Sequence, residues 1–149
     1  MFRSFENISS LKNVYIGVMT PVCQKHGLTH MELTVLMLLH NNPTRDTATE
    51  IVKLRRLTKS HVSISVRSLV DKGLLIGEQQ KNDRRTIHLR LTDAATPIIE
   101  DGTLAQRNFG RIMFEGFTKE EMSVLCGMIE RITGNINAYE CNSAGQNEE

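Results

Sequence analysis

Residues 59–67 read Lys-Ser-His-Val-Ser-Ile-Ser-Val-Arg, and residues 81–85 read Lys-Asn-Asp-Arg-Arg. Both stretches are rich in donors for an anion. On a helix, at about 100° per residue, Ser60, Ile64, Arg67 and Asp71 share one face, with His61 and Ser68 beside it. Lys59 and Ser63 widen that polar surface. Small hydroxyls and a guanidinium can enter a major groove without clashing. Arg67 can bond guanine, the serines can bond bases or phosphates, and Ile64 can meet a thymine methyl. The other face carries Val62, Val66, Leu69 and Val70, an i, i+4, i+7, i+8 stripe suited to a core. Taken alone, this helix is equally an ordinary solvated one.

The chain after it separates those readings. Gly73 ends a helix expected over 58–72, and two β-prone runs come next, Leu74–Glu78 and Thr86–Leu91. A polar tip, residues 79–85, joins them. Ile87, Leu89 and Leu91 alternate with polar residues, so these three are expected to face the core from a half-buried strand. A guanidinium on a narrow tip can reach a minor groove, where negative potential is focused. That register assigns Arg85 to the groove. Asp83 would hold it by charge-assisted hydrogen bonds, and Arg84 and Lys81 would meet phosphates. Helix, strand, charged tip and strand together outline a winged helix.

Leu69-Val70-Asp71-Lys72-Gly73-Leu74-Leu75, then Asp83-Arg84-Arg85 and Leu89-Arg90-Leu91-Thr92, resembles the MarR/SlyA family of bacterial transcription regulators. Asp83 and Arg85 fall on that family's wing motif Asp-x-Arg. The resemblance covers residues 28–136, with the first helix fitting by position. It implies two winged lobes on a helical dimer stem, binding a pseudo-palindromic operator. It also implies release by a small ligand, such as an aromatic acid or phenol, held between stem and lobe. This chain departs from the family at Gly77 and Ile64, where Arg is frequent, and at Ala94-Ala95, where a Gly is common.

The remaining elements must carry those two stretches. Leu11, Val14, Tyr15, Val18, Met19 and Val22 predict a helix over 8–25, kinked or limited by Pro21. Thr29-His30-Met31-Glu32 is a capping box, with Leu28 and Leu33 as its staple, and it opens an apolar core helix. Thr47-Ala48-Thr49-Glu50 is a second box, starting a short helix to Arg56 with Ile51, Val52 and Leu54 inward. Two short helices joined by a turn make a helix-turn-helix, whose second member is the one expected in the groove. Thr92 or Asp93 is expected to cap a fifth helix with Ile98, Ala105, Phe109, Ile112 and Met113 on one side, weakened by Gly102. Thr118-Lys119-Glu120-Glu121 is a third box, with Phe117 expected to staple onto Met122. Met122, Leu125, Ile129, Ile132 and Ile136 then form a seam.

Composition sets the class. The net charge of +1 hides a segregation: residues 51–91 carry +7 and the rest −6. A basic middle points to a polyanion. No apolar run is long enough for a membrane span, and residues 1–4 open no secretory signal, so a cytoplasmic protein is expected. Cys23, Cys126 and Cys141 form no C-x-x-C pair. Cys23, near Lys25 and His26, could carry a lowered pKa and sense oxidation. His26, His30 and His40 do not make a secure metal motif, since Gly27 interrupts the first two. No Gly-rich phosphate loop, H-E-x-x-H or G-x-S-x-G is present, so no enzyme and no cofactor are expected.

The sequence therefore predicts a mainly α chain with a small β-wing. A winged helix-turn-helix lobe spans 27–92, a helical dimerisation stem 5–26 and 93–140, and a flexible tail 141–149. The expected partners are double-stranded DNA, a second copy of the chain and a small aromatic or phenolic ligand. The DNA-binding set is Lys59, Ser60, His61, Ser63, Ile64, Arg67, Lys81, Asp83, Arg84 and Arg85. The dimerisation set is Leu11, Val14, Val18, Met122, Leu125, Ile129, Ile132 and Ile136, because a winged core closes without them. The expected activity is transcriptional repression. The alternatives are an oxidation-sensing regulator using Cys23, and a winged module that binds an acidic protein instead of DNA.

Overall fold

A computed structural model describes residues 8–55, 58–80 and 83–144, and the side chains within 10–54, 58–79 and 86–139. In order come α1 (Ile8–His26), α2 (His30–Asn41), α3 (Ala48–Arg55), α4 (Lys59–Asp71), β1 (Leu75–Gln80), β2 (Asp83–Leu91), a 3-10 turn (Asp93–Ala95), α5 (Thr96–Met113) and α6 (Lys119–Ala144). The chain divides into two compact units, one ending at Ile112 and the other beginning at Met113. No helix among the described residues is long and apolar enough to cross a membrane.

In the first unit, α2 is the central element. Its capping box forms as expected: the Thr29 amide donates to Glu32 Oε2 at 2.7 Å, and the Glu32 amide donates to Thr29 Oγ1 at 3.1 Å. Leu33, Val35, Leu36, Met37, Leu38 and Leu39 are all buried. Around them close Met19, Val22 and Cys23 of α1, Ile51 of α3, Val62 and Leu69 of α4, Leu75 and Leu89 of the strands, and Ile98 and Ile99 of α5. Gly27 (φ 63°) and Gly73 (φ 69°) take left-handed conformations just past the ends of α1 and α4, where a side chain would be strained.

Several expectations need correction. Helix α1 runs unbroken through Pro21. On α4 the buried stripe is Val62, Ser65 and Leu69, whereas Val70 is 42% exposed. Val70 comes directly after Leu69, so it lies about 100° round the helix, at the rim of the contact. The fifth helix is preceded by the 3-10 turn, and Thr92 spends its hydroxyl on the Gly73 carbonyl (2.7 Å) instead of a cap. On α5, Ile112 is exposed.

The strands are longer than expected and pair antiparallel, from Leu75 opposite Leu91 to Gln79 opposite Ile87. There the register slips: Gln80 pairs with Asp83, so Arg84-Arg85-Thr86 lie across the single step Gln79-Gln80. Leu89 is buried, but Ile87 is 51% exposed. It lies over Gly77 of the neighbouring strand, where a Cβ would come within 2.9 Å of Ile87 Cγ2. The wing root is tied to the α2–α3 connection. The Leu89 amide donates to the Asp46 carbonyl (2.7 Å), His88 Nδ1 meets Asp46 Oδ1 (2.7 Å), and Thr47 bridges His88.

In the second unit, the Thr118 box forms through Glu121 (2.8 and 3.2 Å). Phe117 is half exposed and stacks edge-on against Phe114, with centroids 5.9 Å apart. Helix α6 continues through Asn142 to Ala144, where the tail was expected to fray. Each residue added to an existing helix fixes only itself, so polar residues can prolong one already started.

Gly102 is buried at the crossing of α5 and α2, where a Cβ would stand 2.5 Å from Met37 Sδ. Gly102→Ala gains about 1 kcal/mol of helix propensity and loses about 1–3 kcal/mol to overpacking. The expected result is a lower Tm in thermal denaturation, recovered in part by adding Met37→Val. A higher Tm for Gly102→Ala alone would show that the crossing has room.

Candidate nucleic-acid interface

Helix α4 has one committed and one open side. Thr58 precedes its first turn without a side-chain cap, leaving early amides unspent. Lys59, Ser60, His61, Ser63, Ile64 and Arg67 are exposed, Ile64 at 67%. These are the expected residues of this helix, brought onto one continuous surface. Ser63, Ile64, Arg67, Ser68 and Asp71 line an open depression of about 600 Å³ along it. Among the described residues, neither Lys59 nor Arg67 has an ion-pair partner. Free donors, small hydroxyls and one exposed aliphatic tip are what groove contact requires.

On the wing, the backbone of Asp83–Leu91 is a strand, while Lys81 and the side chains of Asp83, Arg84 and Arg85 lie outside the described residues. At its middle, Arg90 pairs loosely with Glu78 (3.5 Å), both largely exposed.

Sequence reasoning missed the junction that holds α4. Glu32 is 3% exposed. While Oε2 caps α2, Oε1 accepts from Ser68 Oγ (2.6 Å) and from Lys72 Nζ (2.8 Å). Lys72 Nζ also reaches the Gly27 carbonyl (3.2 Å). Burial alone would raise this carboxyl. The bonds from Lys72, Ser68 and the Thr29 amide, with the charge of Lys72, outweigh it and hold the pKa at about 2. The capping box accounted for Glu32 in the sequence, so no signal remained to point to its second oxygen.

The thiol and imidazole expectations come out differently. Cys23 is buried, and burial pushes its pKa up, opposed by a backbone hydrogen bond and reinforced by the negative charge of Glu32. That is the reverse of an activated thiol. Cys126 is exposed, and Cys141 falls outside the described side chains. His26 Nε2 meets Asp101 Oδ2 (2.6 Å), beside Lys25 at 2.7 Å. Lys25 first, then His26, lowers the Asp101 pKa. His30 lies between Thr20 Oγ1 (3.2 Å) and Cys23 Sγ (3.7 Å). Among the described residues, no three His, Cys, Asp or Glu side chains converge as metal ligands. Between α1 and α2 lies a cavity of about 340 Å³, walled by Ile16, Met19, Met31 and Leu33, with Lys12, Tyr15, His30 and Thr34 as its polar groups.

Because the folded pKa of Glu32 lies below its ordinary 4.5, its contribution is present above pH 4.5 and is lost as pH falls through about 2. The span corresponds to about 3 kcal/mol. Urea denaturation across that window is expected to steepen with acid for the native chain and to flatten for Glu32→Gln. Parallel curves would assign the acid sensitivity to other carboxylates.

Comparison with known proteins agrees with this geometry. A family model described as MarR family matches residues 26–86, the stretch from the last residue of α1 into the wing. An uncharacterised HTH-type transcriptional regulator of Bacillus subtilis, YdgJ, is 26% identical over 128 residues, covering 86% of this chain and 76% of that protein. A MarR-family regulator from Listeria monocytogenes, solved with a 26mer DNA, superposes with a TM-score of 0.72 at 16% identity, covering 91% of this chain and 88% of that one. Staphylococcus aureus MarR, solved with salicylate and kanamycin, gives 0.72 at 17% identity over 91% of each chain. The stretch through the helix-turn-helix and into the wing is therefore similar to the MarR family of transcriptional regulators, and the chain shares the fold of these solved structures along most of its length.

Proposed function

We propose that the chain is a cytoplasmic, homodimeric repressor that reads a pseudo-palindromic operator and is released by a small aromatic acid or phenol. The observation that carries this is the open face of α4, where Lys59 and Arg67 stand exposed beside Ser60, Ser63 and Ile64. The segregation of +7 into residues 51–91 supports a polyanionic partner. So does the Listeria relative crystallised with DNA. In this reading residues 27–92 form the DNA-binding lobe, with 5–26 and 93–140 as the dimerising stem. The cavity between α1 and α2 fits the ligand: its walls are apolar, and Lys12 and Tyr15 can meet a carboxylate or a phenol. Burial of Cys23 favours this ligand over thiol oxidation as the release signal.

The DNA reading is tested by fluorescence anisotropy on the protein's own upstream duplex and on random duplex, at several salt concentrations. Arg67→Ala is expected to cost about 1–3 kcal/mol and relax base preference, and Arg85→Ala to do so mainly at A·T-rich flanks. Arg84→Ala is expected to weaken all duplexes alike and to lower the salt slope by about 0.9. A native protein whose binding is independent of both sequence and salt would overturn the reading in favour of a protein partner.

The dimer rests on α6. Val124, Met128, Ile129, Ile132 and Ile136 are each at least half exposed, which is unusual for one helix of a soluble monomer. On α1, Leu11 and Val14 are exposed and Val18 half-buried. A second copy offering the same surfaces is the simplest cover. Leu125→Asp with Ile129→Asp is expected to give monomers or aggregates in light scattering, with operator binding lost. Dimers of native mass and Tm would remove α6 from the interface.

A further inference from the structure

We propose that Glu32 is the positioning residue of the DNA-reading helix: through Ser68 and Lys72 it fixes the height and rotation at which α4 presents Ile64 and Arg67. This rests on the DNA-binding reading above and adds to it a residue that touches no DNA.

Apolar burial holds α4 against the lobe through Val62 and Leu69, both fully buried. Such contact is non-directional, so it resists separation far better than a small slide or roll. Reading tolerates little of either. One residue of helical rise is about 1.5 Å, close to half of the roughly 3.4 Å between stacked bases. A slip of that size moves Arg67 from one base towards the gap beside it. Hydrogen bonds are directional and short-ranged, and they can set what burial leaves loose.

Glu32 is placed to do so. It sits in the first turn of α2, fixed by its own cap to Thr29 at 2.7 Å. Its free oxygen takes both Ser68 at 2.6 Å, in the last turn of α4, and Lys72 at 2.8 Å, at the C-cap that follows it. Two bonds to one oxygen, from points one turn apart, fix rotation and height together. Ser68 adjoins Arg67 and lies one turn beyond Ile64, so the clamp sits directly behind the reading residues. Lys72 adds a third point at the Gly27 carbonyl, 3.2 Å away.

The test compares native, Glu32→Gln, Ser68→Ala, Lys72→Gln, Lys72→Arg and the Glu32→Gln/Lys72→Gln pair. Glutamine at 32 keeps the cap and the volume but gives up the charge facing Lys72. Operator and random-duplex affinities are measured over a salt series, with dimer mass and Tm as controls. For Glu32→Gln and Ser68→Ala, operator affinity is expected to fall about tenfold, the size of one misread base pair, with random-duplex affinity and salt slope unchanged. Lys72→Arg is expected to restore the operator-to-random ratio. The paired variant is expected to lose about tenfold, not the hundredfold of independent sites. If Glu32→Gln does not fold, Ser68→Ala decides, since it deletes one half-buried hydroxyl and no charge. A native-like ratio in the folded variants overturns the proposal. So does a drop of about 0.9 in the salt slope for Lys72→Gln, which would make Lys72 a phosphate contact. A native protein that does not discriminate operator from random duplex is a different failure: it removes the DNA reading itself, and this inference with it.

Discussion

Helix α2 is buried around most of its circumference. Leu33, Val35, Leu36, Met37, Leu38 and Leu39 are all buried, and only Thr34 in that stretch is half-buried. Such a helix is stable only if other elements close around it, and each fully buried side chain contributes about 1.5–3 kcal/mol when they do. The order of the first unit arises from this. Helices α1, α3, α4 and α5 and the strand pair each give α2 their apolar stripe and keep their polar side outward. The side of α4 that faces DNA in the proposed reading is open because its other side is taken.

Apolar closure leaves orientation loosely set, and the polar clamps sit where orientation matters. Glu32 ties α2 to α4, and Asp46 ties the α2–α3 connection to β2 through His88 and the Leu89 amide. Thr92 ties the end of the wing to Gly73, and Asp101 ties α5 to Lys25 and His26 of α1. Each clamp joins an element end to a neighbour distant in sequence. A directional bond made there constrains the whole element, because a helix or strand transmits a fixed end as a rigid rod.

What the sequence made legible is what is decided within one turn. The boxes at Thr29, Thr47 and Thr118 all form, because donor and acceptor are three residues apart on the same turn. The open face of α4 was legible for the same reason, since periodicity alone separates Ile64 and Arg67 from Val62 and Leu69. Decisions made by a neighbour were not legible. Val70 is apolar and falls in the right period, yet lies at the rim. Phe117 stacks on Phe114, a pairing that the capping pattern does not encode. Gly102 looks like a weak point in α5, whereas its missing side chain is what admits Met37. Cys23 lies near two basic residues in sequence, yet burial and Glu32 govern its proton.

The candidate site divides along the same line. The residues proposed to contact DNA are local and could be named. Its supports are not: Ser68 and Lys72 find Glu32 across 36 and 40 residues, and no periodicity connects them. The wing shows the limit most directly. Alternation from Leu91 through Leu89 to Ile87 implies a register at the root, from which the residues before Thr86, Arg85 among them, are expected to project outward. The register slip between Gln79 and Gln80 ends that inference, because Arg84-Arg85-Thr86 span one step of the partner strand. A bulge twists a strand more sharply and re-aims the residues beyond it. Backbone pairing of Gln80 with Asp83, not the apolar pattern at the root, therefore sets the course of the strand there, while Leu75 and Leu89 are buried where the wing joins the lobe.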